Sequence, residues 1–266
     1  MNSSTISSPS ALWAQFNLQG RRALVTGASS GLGQHMAQTL AAAGAHVYIA
    51  ARSVDRLTSV LAQIRAAGGQ ADTLALDVRD PAQVASAMAT LHQSIGALDI
   101  VINNAGVTNT KPLLTQEPAD WDAVMDTNLR GGWLVASAAA RAMVATRRAG
   151  CIVNIASILG ERVAGGVAPY ASSKAGLIQL TKSMALEWAR YGIRCNALLP
   201  GYIATDLNRD FLASDAGEKM RLRVPSRRFG TVEDLDGPLL LLCSDASRHI
   251  TGACLPVDGG HLVSSL

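Results

Sequence analysis

Short apolar runs recur along this chain, and stretches of helical character separate them. The runs lie at 22–26, 47–51, 73–76, 98–102, 151–156, 194–199 and 253–257. Each is of strand length and ends at a glycine, an asparagine, an acid or another turn-forming residue. Helical stretches fill the gaps at 34–43, from Ser53 to about 67, from Asp80-Pro81 to about 95, at 118–147, from Pro169 to about 190 and at 233–243. Pro169 suits the first turn of its helix, where a missing N–H costs nothing. Asp80-Pro81 and Ser53 are expected to cap theirs. Regular strand–helix alternation calls for a parallel sheet covered by helices on both faces, that is, a single-domain doubly wound α/β fold of seven strands. Residues 1–15 are small and polar and read as a loose arm, leaving 16–266 as the domain. Residues 202–224 show no clear apolar face, and a segment of that kind after a strand end suits a mobile lid.

Composition narrows the picture. The chain has 266 residues, 48% of them hydrophobic, enough for one large core. Net charge is +3, and the basic residues come as scattered pairs such as Arg21-Arg22 and Arg227-Arg228. No basic run with interleaved aromatics suggests nucleic acid. No apolar run approaches the roughly eighteen residues of a membrane span. The four cysteines are far apart with no metal-ligand spacing, and the five histidines are isolated, so no metal is expected. Without a basic region leading into an apolar one at the N-terminus, the expected location is the cytoplasm.

Candidate chemistry gathers at the strand ends, where ligands bind in open α/β sheets. Gly27-Ala-Ser-Ser-Gly31-Leu-Gly33 follows the first strand and opens a helix, so that backbone N–H groups and the helix dipole would face a pyrophosphate. An ordinary Gly-Ser turn would carry the same glycines. Arg52, Asp77 and Asn103 stand at the next strand ends, and Ser157 ends the fifth strand. Tyr170 and Lys174 are four apart on one helix and so share a face. A free phenol titrates near ~10, and a neighbouring ammonium together with the helix N-terminus is expected to bring it toward roughly 7, which suits a general acid/base. A half-buried Tyr and an unrelated surface Lys would show the same spacing.

Taken together, these motifs resemble the short-chain dehydrogenase/reductase family from about Leu18 to Gly260. Thr26-Gly27 with Ser29, Ser30, Gly31, Leu32 and Gly33 is similar to its cofactor turn. Asp77-Val78 resembles the pair that holds the adenine. Asn103-Asn104-Ala105-Gly106 resembles the motif on the adenosine side. Pro200-Gly201, Ile203 and Thr205 resemble the turn that meets the nicotinamide. The resemblance implies a Rossmann fold and a catalytic tetrad of Asn128, Ser157, Tyr170 and Lys174. Ser157 would hold the substrate oxygen and Tyr170 would exchange its proton. Lys174 would lower the Tyr pKa and bind the nicotinamide ribose, and Asn128 would hold a water. Tyr170 and Lys174 thus belong to both the catalytic and the cofactor-binding sets.

Between Gly33 and Val54 there is no Asp or Glu to hold a ribose 2′-hydroxyl, and Arg52 stands where it can meet a 2′-phosphate. NADP(H) is therefore expected, with NAD(H) possible because Ser30 occupies a position that is basic in many NADPH users of the family. The substrate is a small carbonyl or alcohol. Lys219, Arg221, Arg223, Arg227 and Arg228 suggest a basic rim for the phosphates of a 3-oxoacyl thioester. Sugar, polyol, cyclic or steroid alcohols with NAD(H) stay open, as does a non-catalytic regulator that senses nicotinamide state. The resemblance also implies a homotetramer. The long Asn128 and Tyr170 helices and the mildly apolar C-terminus are the expected contact surface, with Leu177, Leu180, Met184 and Trp188 on the Tyr170 helix.

Overall fold

Seven parallel strands form one sheet in the computed structural model, which describes residues 8–205 and 208–264. In chain order the elements are α1 (Pro9–Ala14), β1 (Arg22–Thr26), α2 (Gly31–Ala42), β2 (His46–Ala51), α3 (Asp55–Ala66), β3 (Gln70–Ala75), α4 (Pro81–Ile95) and β4 (Ile100–Asn103). There follow α5 (Pro118–Met125), α6 (Gly131–Ala145), β5 (Gly150–Ile155), α7 (Ala168–Trp188) and β6 (Ile193–Pro200). The short α8 (Arg209–Leu212) and α9 (Asp215–Arg221) come next, then α10 (Asp236–Cys243) and β7 (Cys254–Val257). Strand order is β3-β2-β1-β4-β5-β6-β7.

The strands are apolar on both faces because both faces are covered. Side-chain alternation sends Ala23, Val25, Val47, Ile49, Ile100 and Ile102 into a core roofed by α2, α3 and α10. The intervening Leu24, Tyr48, Ala50 and Val101 enter a second core under α4, α6 and α7. Asp80 caps α4 as expected, accepting from the amides of Ala82 (2.9 Å) and Gln83 (3.2 Å). Among the described residues no helix is long and apolar enough to cross a membrane.

Several expectations need correction. Residues 9–14 of the expected loose arm form α1, whose first turn Ser8 caps by accepting from the Ala11 amide; residues 1–7 lie outside the described residues. Ser53 does not cap α3: Val54 holds that place, and no side chain bonds the free amides. The long helix from Pro118 is interrupted by a π turn, Asp126–Arg130, before α6. The helix expected from 233 begins instead as a 3-10 turn, Val232–Leu235, held by reciprocal Thr231 and Asp234 capping bonds. The expected lid contains α8 and α9, with residues 206–207 outside the described set. Leu177 and Met184 are buried in this chain's own core and are not free contact surface, whereas Leu180 and Trp188 are half-buried beside the core.

Candidate active site

The crevice lies between β1 and β4. The chain leaves β1 toward β2 on one side and β4 toward β5 on the other, so the two following loops part. Gly27 and Gly31 both take positive φ, +64° and +54°, which glycine adopts without a Cβ penalty. Gly33 is required for another reason. A Cβ there would lie 2.3 Å from the Gly27 carbonyl oxygen and 2.4 Å from Asn104 Nδ2. That closeness is structural, because Asn104 Nδ2 donates to the carbonyls of Thr26 (2.9 Å) and Gly27 (3.1 Å). Thr26 Oγ1 in turn accepts from the amides of Asn104 and Ala105, each at 3.1 Å. The loop after β4 is thereby latched onto the glycine turn. The amino end of α2 is left facing the crevice with no side-chain cap from Ser30, an arrangement that fits a phosphate.

On the far side of the crevice, β5 delivers Ser157 and α7 delivers Tyr170 and Lys174. Lys174 is buried, and its Nζ donates to the Ile155 carbonyl at 2.7 Å, 5.5 Å from the Tyr170 ring centre. Burial holds its ammonium down at about 8. The Ser157 hydroxyl accepts from the Leu159 amide at 3.1 Å and faces the same cleft as Tyr170. The Tyr170 phenol is pushed up from its ordinary value by burial, opposed by the Ser157 side chain. The expected lowering toward neutrality is therefore not seen in the protein alone. Lys174 is tied to a main-chain oxygen rather than to the phenol, and desolvation outweighs its charge.

Asn128 is buried within the π turn. Its Oδ1 accepts from the Val107 amide (2.8 Å), and its Nδ2 donates to the Val107 carbonyl (2.9 Å) and to Ser173 Oγ (3.0 Å). The side chain thus ties the loop after Gly106 to α7. A Cβ on Gly106 would sit 3.3 Å from Asn128 Oδ1 and 3.6 Å from Lys174 Nζ, so this glycine admits both groups. Gly131, at the start of α6, is needed for close packing, because a Cβ there would meet Val78 Cγ2 at 2.7 Å. Gly132 contributes its carbonyl to Asn103 Nδ2 at 3.0 Å, and Asn103 also donates to Asn154 Oδ1 at 2.9 Å.

A continuous cleft of about 1520 Å³ joins these features. All the residues expected to bind cofactor line it, as do Ser157, Tyr170 and Lys174; Asn128 stands behind its wall. Arg52 is exposed at the end of β2 and forms no ion pair among the described residues. Asp77 is engaged by Arg79 at 2.6 Å, which holds its carboxyl below the usual range. Gly201 packs against Asp258, where a Cβ would come within 2.7 Å. Asn208 shapes the turn beyond it, accepting from the Thr205 amide at 2.8 Å and donating to the Ile203 carbonyl at 2.9 Å.

The basic rim is largely spent on its own fold. Arg221 pairs with Glu218 at 2.6 Å and donates to the Arg227 carbonyl. Arg228 pairs with Asp234 at 2.6 Å, and Arg227 donates to the Leu222 carbonyl. None of the five basic residues lines the cleft. Sequence reasoning missed Arg56, in the first turn of α3, which lines the cleft close to Arg52; a second arginine four residues on was the available signal. It also missed Thr108 and Thr110, which the loop after β4 brings into the cleft with no local pattern to mark them.

A family model described as Enoyl-(Acyl carrier protein) reductase matches residues 27–261. The chain is 40% identical over 250 residues to a gluconate 5-dehydrogenase of Gluconobacter oxydans, covering 94% of this chain and 97% of that one. It is 38% identical to the 3-oxoacyl-[acyl-carrier-protein] reductase FabG of Escherichia coli, covering 92% and 98%. Among solved structures, a gluconate 5-dehydrogenase from Burkholderia cenocepacia in complex with NADP and tartrate superposes with a TM-score of 0.90 at 41% identity, over 94% of this chain and 98% of that one.

Proposed function

The chain belongs to the short-chain dehydrogenase/reductase family, enzymes that act on CH–OH groups, and from that premise we propose that it interconverts a ketone and a secondary alcohol with NADP(H). The observation that carries this is the convergence of Ser157, Tyr170 and Lys174 on one wall of a cleft whose other end holds the glycine turn and Arg52. The cradle fits a dinucleotide: Gly33 leaves no room for a side chain, and the open amino end of α2 faces the crevice. When bound, the nicotinamide supplies or accepts the hydride. Ser157 donates a hydrogen bond to the substrate oxygen and fixes it. Tyr170 gives that oxygen its proton in reduction and takes it back in oxidation. Lys174, still largely protonated at neutral pH, supplies the charge that favours the phenolate and meets the ribose. The Asn128 side chain is committed to Val107 and Ser173, so its main-chain carbonyl, in the π turn, is the group left to meet a water.

Arg52 is the group for a 2′-phosphate, aided by Arg56, and no carboxylate between Gly33 and Val54 opposes it. A charge-assisted bond of this kind contributes about 1.5–3 kcal/mol. Arg52→Ala is expected to cut kcat/KM for NADPH about 10-fold or more and to spare NADH. Equal use of both cofactors by the wild type would remove the assignment.

For the substrate, a polyhydroxylated ketone of the sugar-acid class is favoured. Thr108, Thr110 and Tyr202 offer hydroxyl partners in the cleft, and relatives named gluconate 5-dehydrogenase support it. A 3-oxoacyl thioester is the second reading, supported by Leu159, Phe211 and Met220 in the same lining and by the relative named FabG. Turnover of 5-ketogluconate and of acetoacetyl-CoA, each with NADPH and with NADH, followed by nicotinamide absorbance, separates the two. Oxidation of NADPH by the first alone supports the sugar-acid reading, and by the second alone the thioester. No turnover of any ketone would leave the protein a cofactor-binding regulator. A homotetramer in a reducing cytoplasm completes the proposal, in keeping with four free cysteines.

A further inference from the structure

The sheet edge opposite the active cleft, at the amino ends of β5 and β6, opens onto a second cavity of about 510 Å³. Cys151, the second residue of β5, and Cys243, the last residue of α10, both line it. Cys151 Sγ donates to the Cys243 carbonyl at 3.7 Å, which sets the two residues side by side. Strand alternation decides which cysteine can be the partner. Cys195 is in register with Ile152, one residue beyond Cys151, so its thiol enters the opposite core under α7. Cys254 is in register with Ala197 and falls on that same opposite face. Cys151 and Cys243 alone share the core beneath α10. Charges of both signs line the cavity: Asp99 and Asp245 are there, Asp245 paired with Arg21 at 3.0 Å, and Arg194 lies against Cys243. Arg194 donates to the carbonyls of Leu242 (2.9 Å) and Ser244 (3.2 Å), which flank Cys243, and Arg21 and Arg248 also line the cavity.

We propose that Cys151 and Cys243 form a redox-modification site, a dithiol that hydrogen peroxide entering this cavity converts to an intramolecular disulfide. Cys151 reacts first. The Cys243 side chain and the nearby arginines hold its thiol below the usual range, while the Cys151 side chain and burial push Cys243 up. The Cys151 thiolate attacks one peroxide oxygen, the O–O bond breaks, and hydroxide leaves as the sulfenic acid forms. Cys243 then loses its proton and attacks that sulfur, displacing hydroxide, which leaves as water. Two thiols and one peroxide give one disulfide and two waters; the sulfurs lose two electrons and the peroxide gains them. The S–S bond of about 2.05 Å requires the sulfurs to close in, and the end of α10 is the part that can move, since Ser244 already leaves the helix in extended geometry.

The test treats the folded wild-type protein with millimolar hydrogen peroxide, blocks remaining thiols by alkylation, and maps the peptides by mass spectrometry. The expected result is loss of two of the four thiols, a Cys151–Cys243 linkage, unmodified Cys195 and Cys254, and full reversal by dithiothreitol. In Cys243→Ala, a sulfenic acid on Cys151 should instead be trapped by dimedone. Four free thiols after treatment, or oxidation confined to the more exposed Cys254, would overturn the proposal. So would a Cys151–Cys195 linkage, which also marks a protein whose sheet has opened.

Discussion

Tyr170 and Lys174 illustrate how residue spacing and burial pull in different directions. The i, i+4 spacing brings them together, yet burial sets what each does as a titrating group. Tyr170→Phe keeps ring and packing and removes the transferable proton. It should lower kcat at least ~10²-fold while NADPH binding, read by fluorescence titration, stays close to wild type. Lys174 offers a separate check through stability. Its folded pKa is about 8 against an ordinary 10.5 in the unfolded chain. Between those values the unfolded chain holds more protons, so this group makes stability rise with pH across that window, by up to ~3 kcal/mol at about 1.36 kcal/mol per unit. Below pH ~8 the buried ammonium carries its full cost and the contribution is flat. Lys174→Met should remove this rise, which urea unfolding of both proteins from about pH 7 to about pH 10 would measure. The spacing was legible in the sequence, but the upward push on the phenol was not, because it depends on chain brought over Tyr170 from distant segments.

Among the elements, the glycine turn and the loop after β4 act as one unit. The sequence shows both motifs, yet their contact through Asn104 exists only because β1 and β4 are sheet neighbours. Gly33→Ala is expected to press against the Gly27 carbonyl and Asn104 together. Overpacking of this kind costs about 1–3 kcal/mol of stability. It should also weaken NADPH binding about 10-fold or more by displacing the turn, measured by titration alongside urea unfolding. The break in the long helix from Pro118 follows the same logic. Asn128, Gly131 and Gly132 are poor helix formers, and each meets another element: Val107 and Ser173, Val78, and Asn103. Their helix-disfavouring character was visible locally, whereas the partners that explain it were not.

At the scale of the whole molecule, the proposed tetramer finds exposed apolar side chains on the two long helical stretches first expected to carry it. Leu186 is 83% exposed on α7, and Trp121 and Trp133 on α5 and α6 are 39% and 44% exposed. Large apolar side chains left outside the core in this way suit a subunit contact. Light scattering at micromolar concentration should give four times 27.7 kDa, and Leu186→Lys should shift the mass downward without unfolding the chain. A monomer mass for the wild type would remove the tetramer. The strand count, the parallel sheet and the residues along the cleft could be read from the chain because apolar period, turn chemistry and motif spacing are local properties. Only the tertiary structure decided which face each helix buries, that the basic residues near Arg221 and Arg228 bond to their own neighbours, and that Cys151 meets Cys243 rather than Cys195. Each of these depends on which strands lie side by side and on the alternation of side chains across the assembled sheet, and pairing between distant segments leaves no periodic trace in the sequence.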